Sequence, residues 1–374
     1  MNELMIDWRE LKPERGLTVM ALVGWRHYWI FQNPPRIELQ VLALLAMVFG
    51  WIAWPNAAAM AIETMPIQRF EPFKGTVIAS DPSVVFDGKM YHMAYTELDW
   101  QTNRTVIAMA VSADGRNWTP VDSGDSIPGV VVRGREDTQD QNVEAPELVM
   151  TETGWLLYFS GYRDEGTPSK GFPASLWLAS STDGIHFTRL GNGPVMEPTV
   201  GWYDNDAIHS PAILRVNGTY VMAYAGHAYT NTSKISQGGT YILAAESADG
   251  IVWKKLDRPL LGPGAGPVWM NDGAAEPELV FDSKGKLHLL LTGLKGEDRV
   301  IGIADTPEWP EPFTVRPTAV VVPDASRDEV QVLAPTVVVK DGIARIWYLS
   351  YAKVASGLTF QIGQADLNEL LLRQ

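Results

Sequence analysis

The sequence contains no cysteine, which excludes disulfide frames, thiolate metal sites and thiol nucleophiles and fits an exported bacterial protein. It also lacks a basic surplus: 30 Lys and Arg stand against 44 Asp and Glu, for a formal net charge of −14. Before Ala61, Arg9, Lys12, Arg15, Arg26 and Arg36 cancel Glu3, Asp7, Glu10, Glu14 and Glu38, so the rest of the chain carries all of that charge. A surface of this sign repels phosphate backbones, and no basic stripe offsets it. Nucleic acid is excluded as a partner.

What is present reads as sheet. The 374 residues are 46% hydrophobic and 20% charged, an ordinary globular balance. Runs rich in Val, Ile, Tyr, Trp and Thr are broken by 33 Gly and 25 Pro, the pattern of many short strands joined by tight turns. The 14 Trp are numerous enough to supply both core and sugar-stacking positions.

Residues 1–61 stand apart. An uncharged apolar run over residues 41–54 follows Arg26, His27 and Arg36 and precedes Pro55 and an Ala-x-Ala ending at Ala61. This is the layout of a secretory signal cleaved after Ala61. Residues 39–62 are also long enough to stay as a membrane anchor. Both readings place the following domain, residues 62–374, outside the cytoplasm, periplasmic or secreted or anchored, with membrane contact only through this segment. Nothing in the sequence reports on oligomeric state.

Five segments then share one layout. They open at Asp81-Pro82, Ala145-Pro146, Ser210-Pro211, Glu276-Pro277 and Ala334-Pro335, with prolines 64, 65, 66 and 58 residues apart. A fixed period marks a repeat architecture. After each Pro comes a strand, then a turn such as Asp87-Gly88, Asn217-Gly218 or Asp341-Gly342, then an aromatic-rich strand. A third strand ends in Ser-x-Asp-Gly at Asp114, Asp183 and Asp249, and the chain returns through Trp118, Phe187 or Trp253. Those Asp residues recur on turns and read as structural. Four-stranded meanders repeated five times predict an all-β, five-bladed β-propeller. Pro belongs at a strand's start, so Asp81, Ala145, Ser210, Glu276 and Ala334 are expected at the mouth of a central channel. The fifth unit lacks a fourth strand, and residues 67–74 are expected to pair there and close the ring.

On the Asp-Pro opening, the x-Pro openings and the S-x-D-G-x-x-W/F turns, the chain resembles the five-bladed glycosidases of families 43 and 32, over about residues 75–370. The resemblance implies hydrolysis of an oligo- or polysaccharide of pentose or furanoside type, with no required cofactor or metal, although a central-channel ion is compatible. It implies Asp81 as general base and Glu276 as general acid, although Glu276 adjoins its Pro where the family places Glu two residues before. Ser210 stands where the family has a supporting Asp, and Asp206, four residues earlier, is the substitute. Glu144-Ala145-Pro146-Glu147-Leu148 resembles the acid motif of family 32 and offers Glu144 as alternate acid.

Glu147, His209, Trp202 and Trp269 are candidate substrate-binding residues beside these openings or in loops between strands. Two carboxyl groups about 6.5–9.5 Å apart would fit an inverting mechanism. The alternative is a non-catalytic propeller that binds a glycan or a protein at the cell envelope.

Overall fold

The structure, a computed structural model, describes residues 79–163, 173–228, 238–354 and 357–368. It is all-β: the described residues hold no α-helix, only two short 3₁₀ turns at Val268–Met270 and Ala325–Arg327. The apolar run 41–54 and the closing strand expected at 67–74 lie outside the described residues. No helix among the described residues is long and apolar enough to cross a membrane.

Five antiparallel meanders follow one another along the chain. Their first strands are Ala79–Phe86, Asn142–Thr151, Ala207–Val216, Gly273–Phe281 and Glu329–Lys340. Each pairs with a second strand, which pairs with a third. In units one to four a two-residue fourth strand follows the third; unit five shows three strands. The first strands contact one another in cyclic order, unit five against unit one included. The arrangement is therefore propeller-like, with the first strands innermost. An apolar cluster fills each gap between adjacent units, as around Trp177 between one and two and Trp347 between five and one.

The x-Pro dipeptide lies within the first strand, not at its start. In every unit the ladder skips it: Ser80 pairs with Thr96 and Ser83 with Ala94, so Asp81 and Pro82 together oppose Tyr95. The same two-against-one bulge falls at Ala145-Pro146, Ser210-Pro211, Glu276-Pro277 and Ala334-Pro335. A bulge leaves backbone positions unpaired, which accommodates a residue with no N–H inside a strand. The residue before each Pro is left-handed, with φ of 46° to 50° at all five sites. For a non-glycine residue that conformation costs about 1–2 kcal/mol.

The Ser-x-Asp-Gly turns are hairpin devices, as their recurrence suggests. Asp114 accepts from the Ser112 hydroxyl at 2.9 Å and from the backbone of Arg116 and Asn117 at 2.8 Å each. Asp183 and Asp249 repeat the pattern.

Candidate functional site

The bulges position the site. Each redirects the chain at the same height on its inner strand, and the side chains at that height face a common funnel of about 760 Å³ of free space, counting the part open to solvent. Ser80 and Asp81 enter from unit one, Glu144 from unit two, His209 and Ser210 from unit three, and Ala275 and Glu276 from unit four. The second strands add Thr96, Glu97, His227, Leu349 and Tyr351, and Thr105 comes from the third strand of unit one.

Asp81 accepts from the Ser80 hydroxyl at 2.9 Å. Burial, reinforced by the charges of Glu144 and Glu276, pushes it up to about 7, against the opposing pull of Ser80 and His209. Glu144 faces His209 Nε2 at 2.9 Å and accepts from the Tyr162 hydroxyl at 3.1 Å. Burial works against a charge on His209, yet the Glu144 partner and the Asp81 and Glu276 charges outweigh it and raise its proton affinity. Glu276 Oε2 accepts from the backbone N–H of Ala334 at 3.0 Å. Among the described residues that line the funnel none is Arg or Lys.

Asp81, Glu144, His209 and Glu276 are thus brought together. Four other expected residues sit elsewhere. Glu147 alternates to the far side of its strand and is buried between units, accepting from the Ser83 hydroxyl at 2.8 Å and the Ile213 N–H at 2.9 Å. Asp206 lies just before the inner strand of unit three, outside the funnel lining, where its Oδ1 accepts from the Asn205 amide at 3.0 Å. Trp202 packs edge-on against Tyr203. Trp269 packs over the backbone of Gly293 and Gly302 and donates its indole N–H to Pro317 O at 2.9 Å. These two rings cover protein in place of the funnel because their loops fold back onto the sheets. Among the described residues no group of three or more His, Asp and Glu is arranged to hold a metal ion.

Glu97, Thr105, His227 and Tyr351 were not anticipated. They lie on second and third strands, away from the Pro marker. One signal was available: Glu97 alternates with Tyr95 and Met93 along Tyr91–Asp99, which puts a carboxyl group on a buried face.

Comparison with solved structures agrees with this architecture. The fold is shared with glycoside hydrolases. A glycoside hydrolase aligns with a TM-score of 0.63 at 15% identity, over 81% of this chain and 91% of that one. A thermostable family-43 glycoside hydrolase gives 0.60 at 15% identity over 81% and 91%. An alpha-L-arabinofuranosidase from Lactobacillus brevis gives 0.58 at 14% over 77% and 91%. In sequence, uncharacterized proteins of Mycobacterium tuberculosis strains CDC 1551 and H37Rv are each 26% identical over 207 residues. That match covers 49% of this chain and 62% of those relatives. No family model matches the chain.

Proposed function

We propose that the protein is a glycoside hydrolase that cleaves an oligo- or polysaccharide of pentose or furanoside type, and that its described units belong to a five-bladed propeller. One observation carries the reading: carboxyl groups from three different units converge with a histidine in one open funnel. Like charges held together destabilise a fold, so three carboxyl groups gathered in one open cavity point to a role beyond stability.

In this reading Asp81 is the base that activates water and Glu276 the acid that protonates the leaving oxygen. They come from units one and four, which are not neighbours in the ring, and both face the open funnel. That placement suits inversion, which needs room for water opposite the leaving group. With Asp81 pushed up to about 7, its ionised and protonated forms are both populated near neutral pH, as suits a proton-transfer group. Glu144 is held by His209 at 2.9 Å and Tyr162 at 3.1 Å, which leaves Glu276 as the carboxyl group opposite Asp81 in this reading. We place the domain outside the cytoplasm on the apolar run and basic flank before it.

Turnover of aryl arabinofuranosides, xylosides and fructosides tests the reading. Asp81→Asn and Glu276→Gln should each lower kcat by about 10²–10⁴. As a base, Asp81 must lose its proton to work, so kcat/KM should rise as pH passes about 7, and Asp81→Asn should erase that limb. No turnover on any glycoside would instead support the binding-module reading. The feature favouring that reading is Ser210 in the funnel where the resembling family has an Asp.

A further inference from the structure

Glu97 and Thr105 sit on adjacent strands of unit one and both line the funnel. Each is only 4% exposed. Glu97 Oε2 and Thr105 Oγ1 are nonetheless without a hydrogen-bond partner among the described residues. A buried polar atom left unsatisfied destabilises a fold, and native structures nearly always pair such groups. Two of them in one wall of an open cavity point to a partner that arrives from outside.

The chemistry of the pair narrows that partner. The Tyr95 hydroxyl is a neighbour of the Glu97 carboxyl. Burial, reinforced by the Asp99 charge and opposed by Tyr95, pushes Glu97 up to about 8, so near neutral pH it is a carboxylic acid with a proton to donate. Asp99 is itself ion-paired to Arg133 at 2.6 Å, so that cation is committed elsewhere. Thr105 offers both an acceptor and a rotatable donor. Beside them in the ring, Leu333, Leu349, Tyr351 and Phe360 of unit five make an adjoining apolar wall, with Tyr351 and Phe360 edge to face at 4.4 Å between ring centres. One polar wall and one aromatic wall match a pyranose or furanose ring, which is hydroxylated at its rim and apolar on its face.

We infer that Glu97 and Thr105 form a specificity subsite for a single hydroxyl of a neutral sugar, which accepts from the Glu97 carboxyl and donates to Thr105 Oγ1 while the ring face lies against Tyr351 and Phe360. The sugar is neutral because Asp81, Glu144 and Glu276 in the same funnel repel an acidic one. The inference rests on the carbohydrate reading of this funnel and adds positioning residues to it.

Calorimetric titration with L-arabinose, D-xylose and D-fructose tests it, using wild type, Thr105→Val, Glu97→Leu and Glu97→Gln, with thermal unfolding as a check on folding. Wild type should bind at least one of these sugars. Thr105→Val and Glu97→Leu should weaken that binding by about tenfold, the cost of one lost buried hydrogen bond. Glu97→Gln retains a donor at the same place and should stay within about threefold of wild type. If Glu97→Leu does not fold, the near-isosteric Thr105→Val carries the test alone.

Binding unchanged in both apolar variants overturns the inference. So does a glutamine variant as weak as the leucine one, or a wild type that binds none of the three sugars. Failure of the hydrolase reading is separable. Sugar binding sensitive to Thr105→Val without turnover on any glycoside removes catalysis and keeps the subsite. Turnover lost in Asp81→Asn but unaltered by Thr105→Val and Glu97→Leu does the reverse.

Discussion

Between units one and two, Ser83 accepts from the N–H of Leu148 at 2.9 Å and Thr96 accepts from the N–H of Ala145 at 2.9 Å. Between units three and four, the same two positions hold Ala212 and Ala225, which can accept nothing. The first kind of link recurs around most of the ring: Glu147 to Ile213, Glu278 to Val337, and Thr336 to Val84, the last joining unit five to unit one. The second recurs at Ser160 to Ser210 and Thr292 to Ala334. Each link satisfies an inner-strand N–H that the bulge or the strand's free edge leaves without a backbone partner.

Where both are missing, other contacts hold the gap. The backbone of Thr240 pairs in parallel with Gly273, merging units three and four into one sheet. That approach requires glycine: Gly273 has φ of 138°, and a Cβ would sit 2.6 Å from Thr240 O. The largest of the inter-unit apolar clusters, including Met270, Leu289 and Phe313, fills the same gap. The difference teaches that neighbouring units can be joined by polar side chains on inner-strand amides or by backbone pairing and apolar packing.

Perturbing the two kinds of junction sharpens the contrast. The largest loss is expected from Met270→Ala, which opens a cavity at the apolar junction and should cost about 3 kcal/mol in urea unfolding. The next effect is on pH dependence at the polar junctions. Burial raises Glu147 to about 7, so the folded state holds a proton that the unfolded chain releases from about 4.5 upward. Its contribution is complete below that value and is lost as pH rises through about 7. Burial, reinforced by the Glu147 charge, raises Glu278 in the same direction. Stability should therefore fall between pH 5 and 8, and Glu147→Gln should flatten the fall when unfolding is measured across that range.

Ser83→Ala removes one link and strands the N–H of Leu148, for an expected cost of about 1–2 kcal/mol. Ala212→Ser offers Leu279 the acceptor that other junctions supply and should change stability by about 0.5 kcal/mol or less. A serine there that costs as much as Ser83→Ala would mean the apolar junction cannot accommodate even one added oxygen. The contrast would then be steric.

Much of this organisation was legible in the chain. The x-Pro repeat located all five inner strands, and with them Asp81, Glu144, His209 and Glu276, because a feature tied to strand order is brought to one axis by any ring of equivalent units. The same marker misread its own place: Pro lies inside the strand, since a bulge frees the position it needs. It also swept in Glu147, one residue beyond Pro146, which points into the gap between units.

The sequence by itself determined the number of units, their order and which acids the inner strands carry beside their Pro, because periodicity and turn chemistry are local. Only the tertiary structure decided that Glu97, Thr105 and Tyr351 share the funnel, that Trp202 and Trp269 do not, and that one junction gave up its polar links. Those outcomes depend on which residues of separate strands come to face one another, and the register and packing that settle this are properties of the assembled sheets.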